Sequence, residues 1–204
     1  MVILSTSTVS PDCIKITTVA GPSFFIRSIY LTQISVEEIT EGAEFLEDRE
    51  TELVNAGLCF AAEQKALDYL NRSEQYRMGL TSKLMAKGFD KFSIEKALDY
   101  LESKKYLDDR RFARIWLNNR RITHAEGRIK LSKELAARGI DKEFIKEALD
   151  EFFEENPEEA LCMRAYRKCM KLKKSQEKTI SYLLKNGFAL KLILETGNLY
   201  ATED

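Results

Sequence analysis

One stretch of this chain is written nearly twice. Leu84-Met85-Ala86-Lys87-Gly88-Phe89-Asp90 matches Leu135-Ala136-Ala137-Arg138-Gly139-Ile140-Asp141 at an offset of 51 residues. Beyond it, Ile94-Glu95-Lys96-Ala97-Leu98-Asp99 matches Ile145-Lys146-Glu147-Ala148-Leu149-Asp150 at the same offset. A fainter third copy, Leu183-Leu184-Lys185-Asn186-Gly187-Phe188, follows the second by 48 residues, with Ile193 in the place of Ile145. Repetition at this period restricts the fold to units that bury their apolar faces against their neighbours. Each copy reads as a helix ended by glycine, which takes a left-handed conformation at no steric cost. The apolar residue after the glycine folds back on the preceding turn. Asp90 and Asp141 then stand near the start of the next helix.

A further helix lies upstream of each pair, over Ala61–Asn71, Asp109–Arg121 and Pro157–Lys171, with Pro157 suited to a first helical turn. The spacing therefore predicts three tandem three-helix repeats, over residues 61–107, 108–155 and 156–204. With only nine glycines and three prolines in 204 residues, the turn-rich all-β folds are excluded and an all-α class is favoured. Residues 1–60 read differently. Cys13–Val19 and Ser23–Leu31 form a short β-hairpin around Ala20-Gly21-Pro22, followed by an acidic helix capped by Ser35 and ended near Gly57.

The formal net charge of −1 conceals a segregation. Residues 1–62 hold three basic residues against nine acids, residues 104–138 eleven against four, and residues 162–178 seven against one. On the helix beginning at Asp109, Phe112, Ile115, Trp116 and Asn119 follow the 3-4-7 spacing of an inward stripe. Arg111, Arg114 and Arg121 fall opposite. Arg128, Lys130 and Arg138 follow on the next helix, and Arg164, Arg167, Lys168 and Lys171 recur at spacings of 3 and 4. Acids at i±4 are missing around Arg121 and Arg128. Such a surface is either an ordinary solvated face laced with ion pairs or, stacked across repeats, a track for a phosphate backbone read without regard to sequence. Tyr76, Tyr166 and Trp116 are read as packing residues, and His124 as a residue of a surface loop.

The sequence contains no phosphate-binding glycine loop of the Walker type, no GxSxG elbow and no HExxH. Cys13, Cys59, Cys162 and Cys169 include no CxxC pair, and the single histidine leaves no zinc set. These four read as buried thiols in a reducing compartment. A non-enzymatic protein without metal or cofactor is expected. With no signal peptide and no apolar run of membrane length, it is expected in the cytoplasm.

Four patches together resemble the RecX family of recombinase regulators. Lys104-Lys105-Tyr106-Leu107-Asp108-Asp109-Arg110-Arg111-Phe112-Ala113 resembles its Gly-Tyr-Leu-Asp-Asp run. Gly127 through Ile140, Leu80 through Phe89, and Leu183 through Phe188 resemble its three glycine-ended helices. The chain departs from the pattern at Lys105 (usually Gly), at Arg128 (often Pro), at Tyr76, where a Ser cap is expected, and at Thr196-Gly197. The resemblance implies that the three repeats form a curved array, and it implies a partner, the filament of RecA on single-stranded DNA. A monomer would bind in its groove and dampen ATP hydrolysis, strand exchange and co-protease activity, with direct contact to single-stranded DNA possible. Arg111, Arg114, Arg121, Arg128 and Lys130 lead the expected contacts, with Arg138, Arg164, Arg167, Lys168 and Lys171 behind them. A nucleic-acid-binding repeat module and a protein-interaction scaffold are the alternatives.

Overall fold

The computed structural model describes residues 1–203. The chain divides into two compact units, Met1–Leu107 and the remainder from Asp108.

The first unit opens with three antiparallel strands in the order β1-β2-β3: β1 (Ile3–Ser10), β2 (Cys13–Thr18) and β3 (Phe24–Arg27). The expected hairpin is the β2–β3 pair, and β1 is an addition. Its sequence carries no inward alternation because only Ile3 is buried. Its strand character comes from β-branched residues and from pairing along β2, Thr6 opposite Ile16 and Thr8 opposite Ile14. Three helices follow: α1 (Glu47–Leu70), α2 (Arg77–Met85) and α3 (Lys91–Ser103).

The separate acidic helix does not form. Ser35 caps only a single 3₁₀ turn, Val36–Glu38, in a reciprocal capping box with Glu38. The acidic residues from Glu47 onward instead open α1, which runs unbroken through residue 60 and through Gly57. Gly57 is a point of close approach and not a terminator: a Cβ there would lie 2.8 Å from Cδ2 of Phe24 on β3. Glycine lets the sheet settle directly on the helix. Likewise α2 starts after Tyr76 with no side-chain cap.

Ile16, Ile26, Leu53, Ala66, Leu98 and Leu101 build the core of this unit. Within it lies one buried ion pair. Glu63 on α1 is fully buried (0% exposed) and Arg27 at the end of β3 is 15% exposed. The guanidinium grips the carboxylate with both arms, Nε to Oε2 at 2.7 Å and Nη2 to Oε1 at 2.6 Å. Nη1 reaches Asp12 at 3.0 Å. Tyr30 donates its hydroxyl to Glu63 at 2.8 Å, and the Tyr100 ring on α3 lies 4.6 Å beneath the guanidinium. Burial, reinforced by the Glu63 carboxylate, pushes the Tyr30 hydroxyl far above the ordinary phenol range.

The second unit contains α4 (Asp109–Thr123), α5 (Arg128–Ala136), α6 (Lys142–Glu155), α7 (Glu158–Lys171), α8 (Gln176–Lys185) and α9 (Leu190–Glu203). Here α4 packs on α6, and α7 on α9. With α1–α3, the helices make three trios. The middle helix of each trio ends alike. Gly88, Gly139 and Gly187 take φ of 89°, 76° and 84°. The N–H of the following Phe89, Ile140 or Phe188 returns to the carbonyl of Leu84, Leu135 or Leu183 at 3.2–3.3 Å. This closed turn is what the repeated Leu-x-x-x-Gly-apolar pattern encodes. Asp90, Asp108 and Asp141 each cap a helix through the side chain. Pro157 stands one position earlier than expected, as the residue before α7. Thr196 and Gly197 lie inside α9, where Gly197 faces Tyr166.

Candidate polyanion interface

Helix α4 buries Phe112, Ala113 and Leu117. The expected inward stripe is therefore displaced around the helix: Ile115 is 38% exposed and Asn119 is exposed. Both stripes satisfy a 3.6-residue period, and the small Ala113 settles the choice by letting α4 approach α6 closely. Trp116 is half-buried at the margin, not in the core. Its ring sits between two guanidinium groups, Arg120 at 5.0 Å and Arg138 at 4.8 Å.

The basic face of α4 and α5 is matched by acids across the fold. Arg114 meets Glu151 at 2.6 Å, Arg128 meets Asp150 at 2.6 Å, and Arg110 meets Glu147 at 3.2 Å. These partners are 22 to 37 residues away in sequence, all on α6. Lys130 pairs with Glu126 at 2.6 Å and Arg138 with Glu134 at 3.8 Å. Arg121 donates to the Asn156 side chain at 2.8 Å. The lack of compensating acids around Arg128 holds only along its own helix, since Asp150 on α6 supplies one, whereas Arg121 meets an amide. Pairs as exposed as Arg114–Glu151 are worth about 0–1 kcal/mol each, so they lower the outward field while leaving these arginines exchangeable toward a stronger anion.

Positive charge gathers on α7 and the turn into α8. Lys168 and Lys171 are exposed and, among the described residues, meet no carboxylate. Arg164 donates through Nη2 to two main-chain carbonyls, those of Arg121 at 3.0 Å and His124 at 2.5 Å. Among the described residues it meets no carboxylate. Arg167 is exposed on the same helix, and Arg111 is half-buried at the start of α4. Lys174 stands 4.1 Å over the Tyr182 ring. Tyr166 packs against Tyr200 at 5.3 Å. Of the ten residues expected in the interface, Arg164 and Lys168 share the wall of one cavity with exposed His124. Lys130 and Arg138 share a second, shallower groove with Ile129 and Leu184.

Sequence reasoning missed Arg120 and Glu126, which organise this side of the unit. Glu126 is 4% exposed and takes Arg120 Nε at 2.5 Å and Lys130 Nζ at 2.6 Å. The spacing Glu126–Lys130 carried a signal that was available. Burial raises the Glu126 pKa, but the hydrogen bonds and charges of Arg120 and Lys130 outweigh it and leave the group below the ordinary 4.5 of a glutamate. A carboxylate with a depressed folded pKa contributes stability above its unfolded pKa, and that contribution is lost as pH falls through the folded value. Urea unfolding followed by Trp116 fluorescence is thus expected to show wild type losing more stability from pH 7 to acid below pH 4.5 than Glu126→Gln loses. Equal losses would show that this carboxylate does not govern the acid limb.

Among the described residues no group of three or more His, Cys, Asp or Glu side chains could hold a metal. The four cysteines are free and buried. No helix is long and apolar enough to cross a membrane.

Comparison with known proteins fits this architecture. Residues 108–149, helices α4 to α6, match the family model described as RecX, second three-helix domain. Regulatory protein RecX of Prosthecochloris aestuarii is 34% identical over 137 residues, covering 65% of this chain and 88% of that relative. The chain belongs to the RecX family. Regulatory protein RecX of Treponema pallidum (strain Nichols) is 40% identical over 110 residues, 54% of this RecX-family chain and 67% of the relative. A crystal structure of regulatory protein RecX superposes with a TM-score of 0.75 at 19% identity, covering 96% of this chain and 98% of that one. The RecX structure from Lactobacillus salivarius gives a TM-score of 0.60 at 18% identity over 69% of this chain. The first of these superpositions spans nearly the whole chain, the N-terminal region as well as the helices.

Proposed function

We propose that this chain is a non-enzymatic regulator that binds the RecA–single-stranded DNA filament and lowers its ATPase, strand-exchange and co-protease activities. It acts as a cytoplasmic monomer without a cofactor. Membership of a family whose relatives are named regulatory proteins supports the role. The observation that carries the placement is the trio of Arg164, Lys168 and Lys171 on α7, which meet no carboxylate among the described residues, so that a filament groove bearing phosphates would meet the least competition there from the protein's own acids. Arg114, Arg121, Arg128, Lys130 and Arg138 form a second rank, reached by exchanging their present partners.

The test is DNA-dependent ATP hydrolysis by the cognate RecA, with this protein titrated in well below one chain per recombinase subunit. Inhibition at such ratios is expected, because arresting a growing filament end affects many subunits. The double reversal Lys168→Glu, Lys171→Glu is expected to abolish it, while Arg114→Glu weakens it less. Full activity of RecA at excess protein would overturn the reading. The alternative, a nucleic-acid-binding module with no recombinase partner, draws on the same cations. It is recognised by DNA binding that persists where RecA inhibition is absent.

A further inference from the structure

The end of α4, the loop that follows it, α7 and α8 enclose a cavity of about 290 Å³ within the second unit. Its walls carry Arg164 and Lys168 from α7, His124 and Glu126 from the loop, and Tyr182 and Asn186 from α8. The volume lies just below the usual range for ligand pockets of about 300–1,000 Å³. It suits a group of about nucleotide size and excludes a docked helix.

The charge inside is lopsided. Glu126 is the one acidic side chain in the wall, and it is 4% exposed and already held by Arg120 and Lys130. Arg164 is fixed by two carbonyls, so its position is set in advance, and among the described residues no carboxylate meets its charge. Lys168 has no acidic partner among the described residues. Thr123 and His124 bond to each other through Oγ1 and Nδ1 at 2.7 Å, which leaves the far ring nitrogen of His124 for another partner. Tyr182 adds a hydroxyl. A fixed guanidinium, an ammonium and neutral donors around a small polar cavity match the several acceptor oxygens and spread charge of a phosphate better than the two oxygens of a carboxylate.

We propose that this cavity is a phosphate-ester site. The group it receives is a backbone or terminal phosphate of a single strand, or the phosphate of a free nucleotide. The filament reading supplies only the reason to favour the strand as source, and the site itself is testable with no recombinase present.

The experiment uses the full chain, isotopically labelled, titrated with inorganic phosphate, adenosine monophosphate and a short oligothymidylate, each against sodium chloride at equal ionic strength. Saturable shifts are expected at the amides of residues 122–126, Arg164, Lys168 and Tyr182. Lys168→Glu is expected to remove saturation and to lower the slope of log K against log salt for the oligonucleotide by about 0.7, the share of one phosphate on a single strand. Lys142→Glu reverses an exposed charge outside the cavity, in the same unit, and is expected to do neither. Saturation by the nucleotide with none by the oligonucleotide would keep the site and assign its source to free nucleotides. Shifts that rise linearly with every anion, or equal losses in the two variants, would overturn the site and leave only a diffuse positive field. Neither result bears on RecA inhibition, which the ATPase titration decides separately.

Discussion

Arg27→Ala is expected to destabilise the first unit by about 3–5 kcal/mol, the usual cost of removing one partner from a buried ion pair. The change does more than delete two hydrogen bonds. Glu63 is fully buried on α1, and without Arg27 its carboxylate keeps two neutral donors, the Tyr30 hydroxyl at 2.8 Å and the Gln64 amide at 3.3 Å. Asp12 loses its cation at the same time, and the Tyr100 ring loses the guanidinium stacked on it. Hydrogen exchange checks the result: protection along α1 and α3 is expected to fall together with that of β3. Arg27→Lys is expected to recover little, since an ammonium cannot grip both carboxylate oxygens in the fork geometry. The double change Arg27→Met, Glu63→Leu removes both charges and is expected to be milder than either charge-stranding single change. If Arg27→Ala leaves protection unchanged, the pair does not hold the sheet to the helices.

Gly187→Ala is expected to destabilise the second unit by about 2–5 kcal/mol. The left-handed backbone at φ 84° costs a residue with a Cβ about 1–2 kcal/mol. Overpacking adds about 1–3 kcal/mol, because the new Cβ would stand 2.3 Å from the backbone nitrogen of Lys130 and 2.5 Å from its Cβ. The neighbouring backbone has little room to yield. A Cβ on Gly127 would lie 2.4 Å from the Gly187 carbonyl oxygen, and the Gly127 N–H bonds to the Asn186 carbonyl at 2.8 Å. Gly88→Ala is the control: its φ is 89°, but nothing lies within 4 Å of the added carbon. It should show the conformational term alone, near 1–2 kcal/mol. Trp116, the chain's single tryptophan, lies in the second unit and reports the Gly187 variant in urea. Circular dichroism follows the Gly88 variant. Equal losses for the two glycines would mean that the close approach at Gly187 carries no energy.

What could be read from the residues divides by range. The glycine-ended turns and the caps at Asp90, Asp108 and Asp141 were legible because each closes within five residues and its chemistry is local. The phase of α4 was half legible. Phe112 satisfied both possible stripes, and the choice of Ala113 and Leu117 over Ile115 depended on how closely α6 packs. Gly57 misled because glycine ends helices in isolation, whereas here it clears space for Phe24. Strand β1 was silent, since a strand exposed on both faces shows no alternation. The charged face was the least legible part. Runs of lysine and arginine are plain in sequence, but whether each cation is neutralised depends on α6, brought alongside only by folding. Arg114 and Lys168 look alike on paper and differ in their partners.

The meeting of Gly127 with Gly187 also bears on how such a chain can change in length over generations. The start of α5 takes the Asn186 carbonyl for the Gly127 amide and the Glu158 carboxylate for the Arg128 amide, at 2.8 Å each. Both partners belong to the following trio. The two trios of the second unit are thus interlocked, unlike beads that can be slipped on or off a string. Deleting the last trio would strand main-chain donors at the heart of the one before it, and inserting a copy between them would part the two glycines. A change in the number of trios in this half of the protein would therefore have to rebuild that junction.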